Sequence, residues 1–213
     1  MKRVTLYSLV GAGVLGVAAF AHVPIVRALG AGGCPMAPGN APSAETLEKA
    51  RLESNKSLRT SAVSTSRKAL GFELGVSTRA DVATFAKSQG LACHDELGGA
   101  ASRCVGEGDI RDLFVRFEKS DGDGSRIVAL DAAHAPYDAE RGASVAKRIA
   151  GDVEHTVGAA PKTRGEASAT HLGSGRYSQY AAEFRFQDFA ADVVATNLGD
   201  VVVREQYRLL LPL

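Results

Sequence analysis

The sequence predicts an α+β fold in which two helix-then-antiparallel-meander units, readable as a tandem repeat, pack their helices on one face of the sheet. Three observations carry that expectation. Apolar residues recur at helical spacing around Val82 and again around Ile149. Each helical segment is followed by stretches that alternate apolar and polar residues with period two, and the whole order returns in the second half of the chain.

The first element precedes the fold. Lys2 and Arg3 form a short positive start, and no charged residue interrupts residues 4–26, a run that includes Leu6, Leu9, Val10, Val14, Leu15, Val17 and Phe20. Gly11, Gly13 and Gly16 dilute that run and Pro24 breaks it, so its apolar core falls short of the roughly 20 residues a spanning helix needs. Residues 1–21 therefore read as a signal peptide, with Ala19-Phe20-Ala21 as the small-residue cleavage signal and His22 as the first mature residue. Two alternatives stand beside cleavage. The segment can be retained as a single anchor, or Cys34 can be lipidated, although Ala31-Gly32-Gly33 before it lacks the usual Leu or Val. All three place the chain outside the cytoplasm, in the periplasm, the cell envelope or the medium. Membrane contact is expected only through an uncleaved leader or a lipidated Cys34.

Residues 22–68 read as a low-complexity tether with one short helix. Gly, Ala, Pro and Asn dominate residues 28–42 and cannot bury enough apolar area to offset the entropy of ordering. Ser43 can cap a helix over residues 44–59, with Glu45 and Glu48 near its start, and the Ser/Thr-rich residues 60–66 read as a second linker.

The α+β domain is expected over residues 69–213, divisible into halves 69–135 and 136–213. Leu70, Phe72 and Leu74 lead to a helix entered at Thr78, with Asp81 at capping-box spacing, Val82, Phe85 and Ala86 on one face, and Gly90 as its stop. A strand follows over residues 113–118 and another over 127–130, across the turn Asp121-Gly122-Asp123-Gly124. In the second half, Asp138 caps a helix with Val145, Ile149, Val153 and Val157 at four-residue intervals until Gly158. Strands are expected over residues 180–187, 192–197 and 201–207. Aligning the halves sets Gly90 against Gly158, Val115-Arg116-Phe117-Glu118 against Phe184-Arg185-Phe186-Gln187, and Ile127-Val128-Ala129 against Val193-Val194-Ala195.

With Leu74-Gly75-Val76-Ser77-Thr78 entering the first helix, this order of elements resembles the fold of the outer-membrane assembly lipoprotein BamE and of the tandem β-lactamase inhibitor proteins, BLIP. The resemblance spans residues 69–213 as architecture. It implies a two-unit α+β fold and carries over no functional residue.

Chemistry is sparse. Lys+Arg 25 against Asp+Glu 24 leaves a net charge of +1, which gives no global field for nucleic acid, and none is expected as a partner. Cys93 and Cys104 flank Gly98, Gly99, Ala100 and Ala101, a segment able to fold back as a hairpin, so a disulfide is expected. It would stabilise the fold by about 2–3 kcal/mol. A metal or redox site on Cys93, His94 and Cys104 is the competing reading, but it lacks a Cys-x-x-Cys pair. The acidic turn at residues 121–124 lacks the spacing of a calcium loop. Ser144 and Lys147 match a Ser-x-x-Lys pattern that nothing else in the chain supports. His94, His134, His155 and His171 are scattered, Asp131 and His134 can meet in space, and no metal, phosphate or haem motif calls for a cofactor.

The alternation does yield a polar sheet face, with Arg116, Glu118, Glu183, Arg185, Gln187 and Arg204 pointing away from Val115, Phe117, Phe184 and Phe186. These six residues are the candidate binding site. The expected function is a non-enzymatic protein-binding or assembly module of the envelope or exterior, its partner another envelope or extracellular protein. The alternative is a small extracytoplasmic hydrolase or ligand-binding domain. Two or more histidine or carboxylate side chains converging in one deep cavity would sink the binding-module reading.

Overall fold

A computed structural model of the chain describes residues 44–118 and 124–210. The leader, the cleavage point before His22, the tether over residues 28–42, Cys34 and Asp121-Gly122-Asp123 lie outside the described residues. The chain divides into two compact units, Met1–Leu58 and Arg59–Leu213. The described part of the first is helix α1, Ala44–Leu58, where Lys56 pairs with Glu53 at 2.8 Å on the solvent side and lowers the Glu53 pKa.

The second unit is α+β. A two-stranded hairpin, β1 (Lys68–Ala69) and β2 (Phe72–Glu73), comes first. Leu70 and Gly71 make its turn, both at positive φ (53° and 83°), a conformation that costs a leucine about 1–2 kcal/mol. Helix α2 (Arg79–Gln89) starts where the Thr78 amide donates to Asp81 Oδ2 at 2.7 Å, and it stops at Gly90, φ 67°.

Eight antiparallel strands follow in one sheet: β3 (Ala92–Glu96), β4 (Ala101–Val105), β5 (Ile110–Phe117), β6 (Ile127–His134), β7 (Lys162–Arg164), β8 (Gln179–Arg185), β9 (Phe189–Asn197) and β10 (Val201–Leu209). Their order is β3-β4-β5-β6-β10-β9-β8-β7. The last strand of each half therefore forms the central seam, and the first strand of each half forms an edge.

Helix α3 (Ala139–Val157) begins with the Asp138 carboxylate accepting from the Arg141 amide at 2.8 Å and ends at Gly158, φ 73°. Its buried stripe, Ala143, Ala146, Ile149, Ala150, Val153 and Val157, packs on β9 and β10. Contact is so close that a Cβ on Gly142 would come within 2.5 Å of Val201. Helix α4 (Ala169–Gly173) covers the approach to β8.

At the β3 edge, Cys93 and Cys104 stand directly opposite and are joined by a disulfide. Arg79 fastens the same hairpin to α2, donating to Asp95 Oδ1 at 2.6 Å and to Ser102 Oγ at 2.9 Å while its guanidinium lies 4.1 Å over the Phe117 ring.

Several strand bounds correct the sequence reading, among them the end of β6, which runs to His134 instead of residue 130. β8 ends at Arg185, so Gln187 sits in the reversal that follows, and β9 begins at Phe189, three residues earlier than expected. The reversal comes early because residues 60–64 bond to it. Gln187 N donates to Ala62 O at 2.6 Å, and Ser64 N donates to Asp188 Oδ1 at 2.9 Å. Glu118 likewise lies one residue beyond β5.

Candidate functional site

The strand registers place Arg116, Glu183, Arg185 and Arg204 on one face, with Glu118 and Gln187 beyond the strand ends. Partner positions form rows across the sheet. Arg116, Ala129, Arg208, Ala190 and Arg185 make one, and Phe114, Asp131, Gln206, Asp192 and Glu183 make the next. A row of bases spaced by alanines thus lies beside a row richer in acids. Arg204 grips Asp131 through two bonds, Nε–Oδ1 at 2.6 Å and Nη2–Oδ2 at 2.8 Å, and Gln206 Nε2 donates to the same carboxylate at 2.7 Å. Arg185 donates to Asp192 Oδ1 at 2.6 Å and to the Phe184 and Ala191 carbonyls at 2.9 and 3.0 Å. Arg164 bonds Glu183, and Arg103 bonds Asp112. Burial raises the Asp192 pKa, and the attraction of Arg185 offsets only part of that rise.

On the opposite face the alternation breaks at two points of the central seam. The inward positions of β10 are Val201, Val203, Glu205, Tyr207 and Leu209, and those of β6 include Leu130, Ala132 and His134. Glu205 is 3% exposed and His134 8% exposed, yet they meet, Nε2 to Oε1 at 2.7 Å. Tyr207 donates its hydroxyl to the other oxygen, Glu205 Oε2. Burial, with Glu205 beside it, holds the Tyr207 phenol well above its usual pKa of 10.

These three groups line a cleft of about 400 Å³. Ile149 and Val153 of α3 form one wall, and Ala69 and the positive-φ Leu70 of the β1–β2 hairpin form the other. Lys68, Arg148 and Asp152 also line it, and Arg148 and Asp152 pair at 3.5 Å.

Sequence reasoning missed Glu205 and its pairing with His134, although the signal for Glu205 was present. Once Arg204 and Gln206 are assigned to the polar face, period two sends Glu205 inward. The same parity closes the meeting of Asp131 with His134 that the sequence left open. Three residues apart on one strand, they point to opposite faces, Asp131 to Arg204 and His134 to Glu205. His94 is exposed beside Glu96, and His171 Nε2 meets the Gln179 carbonyl at 3.0 Å. Among the described residues no His/Cys/Asp/Glu group is arranged to hold a metal ion. Ser144 and Lys147 both lie on the exposed side of α3. Among the described residues no helix is long and apolar enough to cross a membrane, which, like the disulfide, is compatible with an exported protein. No family model matches the chain, and neither a curated protein nor a solved structure matches it.

Proposed function

We propose that this chain is an exported, non-enzymatic binding protein of the envelope or exterior whose ligand site is the cleft above Glu205, His134 and Tyr207. One observation carries the reading: a carboxylate 3% exposed stands at an inward position of a central strand where Val201, Val203 and Leu209 are apolar. A buried carboxylate costs stability that an apolar residue of similar size would not. Its placement on a concave, half-apolar surface favours ligand recognition over packing. Both hydroxyls of the lining are already engaged, Thr156 Oγ1 donating to Asp152 O within the helix at 2.7 Å and Tyr207 donating to Glu205, which favours binding over acyl transfer.

The test is amide and imidazole NMR of the intact protein against a library of small fragments. Shifts are expected to cluster at Lys68, Gly71, His134 and Val153. Shifts confined to the face around Arg185 and Arg204, or none, would overturn the reading.

A second reading keeps the polar face as a docking surface for another envelope or extracellular protein. The single row of Arg116, Arg208 and Arg185 favours it. A photo-crosslinking residue at Ala129 should then trap one defined partner in the envelope, and failure to trap any would sink it. We further propose that the two halves form a tandem repeat with their helices on one sheet face, as in the BamE and BLIP folds. The strand order supports this with β5 matched to β9 and β6 to β10, one strand later than the alignment of residues 115–118 with 184–187.

A further inference from the structure

The carboxylates of this sheet are not treated alike. Asp112, Asp131, Asp192 and Glu183 on the polar face each bond an arginine. Glu205 is the most buried of the five, and its partners are an imidazole and a phenol. No lysine or arginine among the described residues pairs with it. Buried acids are as a rule matched by a cation, because an unmatched charge in a low-dielectric site is costly. Lys68, an exposed residue of the same lining, has no ion-pair partner among the described residues, while Arg148 lies 3.5 Å from Asp152. The cleft is therefore polarised, with an acid lacking a fixed cation at its floor and a base lacking an anion on its lining.

From this we infer that the ligand is a small zwitterion of amino-acid size, its ammonium donated to Glu205 and its carboxylate turned toward Lys68. The inference rests on the cleft being the binding site. The volume of about 400 Å³ suits a molecule of that size, and Ile149, Val153 and Leu70 offer an apolar wall for its side chain. Binding would involve proton-neutral ion pairing, with no bond made or broken.

The probes are free L-amino acids, their N-acetyl derivatives and their methyl esters, titrated into the intact protein and followed by the His134 imidazole and the Lys68 and Gly71 amides. At least one free amino acid is expected to shift these signals. N-acetylation, which removes the cation, should weaken binding by about tenfold or more, and esterification by a smaller factor. Glu205→Gln should reproduce the loss on acetylation and Lys68→Ala the loss on esterification, and the derivative series gives the same answer if either variant folds poorly. Acetylated and free forms binding equally would overturn the inference. So would a His134 imidazole already charged at neutral pH in the unliganded protein, since Glu205 would then have its cation. If neutral or anionic fragments occupy the cleft and amines do not, the ligand class fails while the cleft stands. If nothing enters the cleft, both fail.

Discussion

The two faces of one sheet handle charge in opposite ways. On the polar face, Arg185 and Asp192 are only 22% and 19% exposed as side chains, and they close on each other and on neighbouring carbonyls. On the inward face, Glu205 is more deeply buried yet leans on groups that carry no permanent charge. The first arrangement holds strands together and leaves few charges to offer. The second sets a nearly buried acid in the lining of a cleft. The face that looks richer in chemistry by composition is thus the one whose chemistry is already used internally.

Arg185→Ala is expected to have the largest effect. Read from sequence, Arg185 with Arg116 is a docking pair whose double alanine variant leaves thermal stability unchanged. The bonds of Arg185 change that expectation. Its removal strands the Asp192 carboxylate and takes a second donor from two carbonyls of the strand ladder, and should cost about 2–3 kcal/mol, measured by urea unfolding. The opposite sign is expected on the other face. Replacing the cleft trio together, Glu205→Leu with His134→Leu and Tyr207→Phe, leaves no polar group orphaned and should raise stability by about 2 kcal/mol while abolishing binding. A loss of stability would make the trio a packing device.

Two pH profiles sharpen the contrast further. Because the folded Tyr207 pKa lies well above 10, the unfolded chain releases that proton first as pH rises past 10 while the native state retains it. Stability therefore falls above pH 10, by about 1.4 kcal/mol per pH unit for each such group, and Tyr207→Phe should remove its share. Burial raises Tyr137 and Tyr180 as well, so part of the slope will persist. The smallest effect belongs to Asp192. Its raised pKa means that the native state keeps its proton between pH 3.8 and the folded value while the unfolded chain gives it up. Stability declines slightly as pH rises through that window, and Asp192→Asn should flatten the profile there.

Much of this architecture was legible in the chain. Helices α2 and α3 carry their start and stop residues in plain view, Thr78 with Gly90 and Asp138 with Gly158, and both hold because capping chemistry is local. The long strands followed from alternation, and the Cys93–Cys104 hairpin from its glycines. What stayed hidden depends on tertiary contacts. β7 has three exposed residues and no alternation to announce it, and the early end of β8 is set by residues 60–64, distant in sequence. Half of the site was readable, since Glu205 follows from parity along one strand. That it meets His134 could not be read, because nothing local reveals that β10 pairs with β6.

That seam has a consequence for when the molecule becomes competent. His134 and Glu205 stand 71 residues apart in sequence, and Asp131 and Arg204 73 apart. They belong to different halves, so the cleft floor is absent from either meander alone. Pairings of such long range pay their loop-closure entropy before any contact rewards it, and they tend to form late. A folding chain would complete its hairpins first and its cleft floor last. Ligand capture would thus signal that both halves have docked, and a fragment ending before β10 would fold in part yet hold nothing.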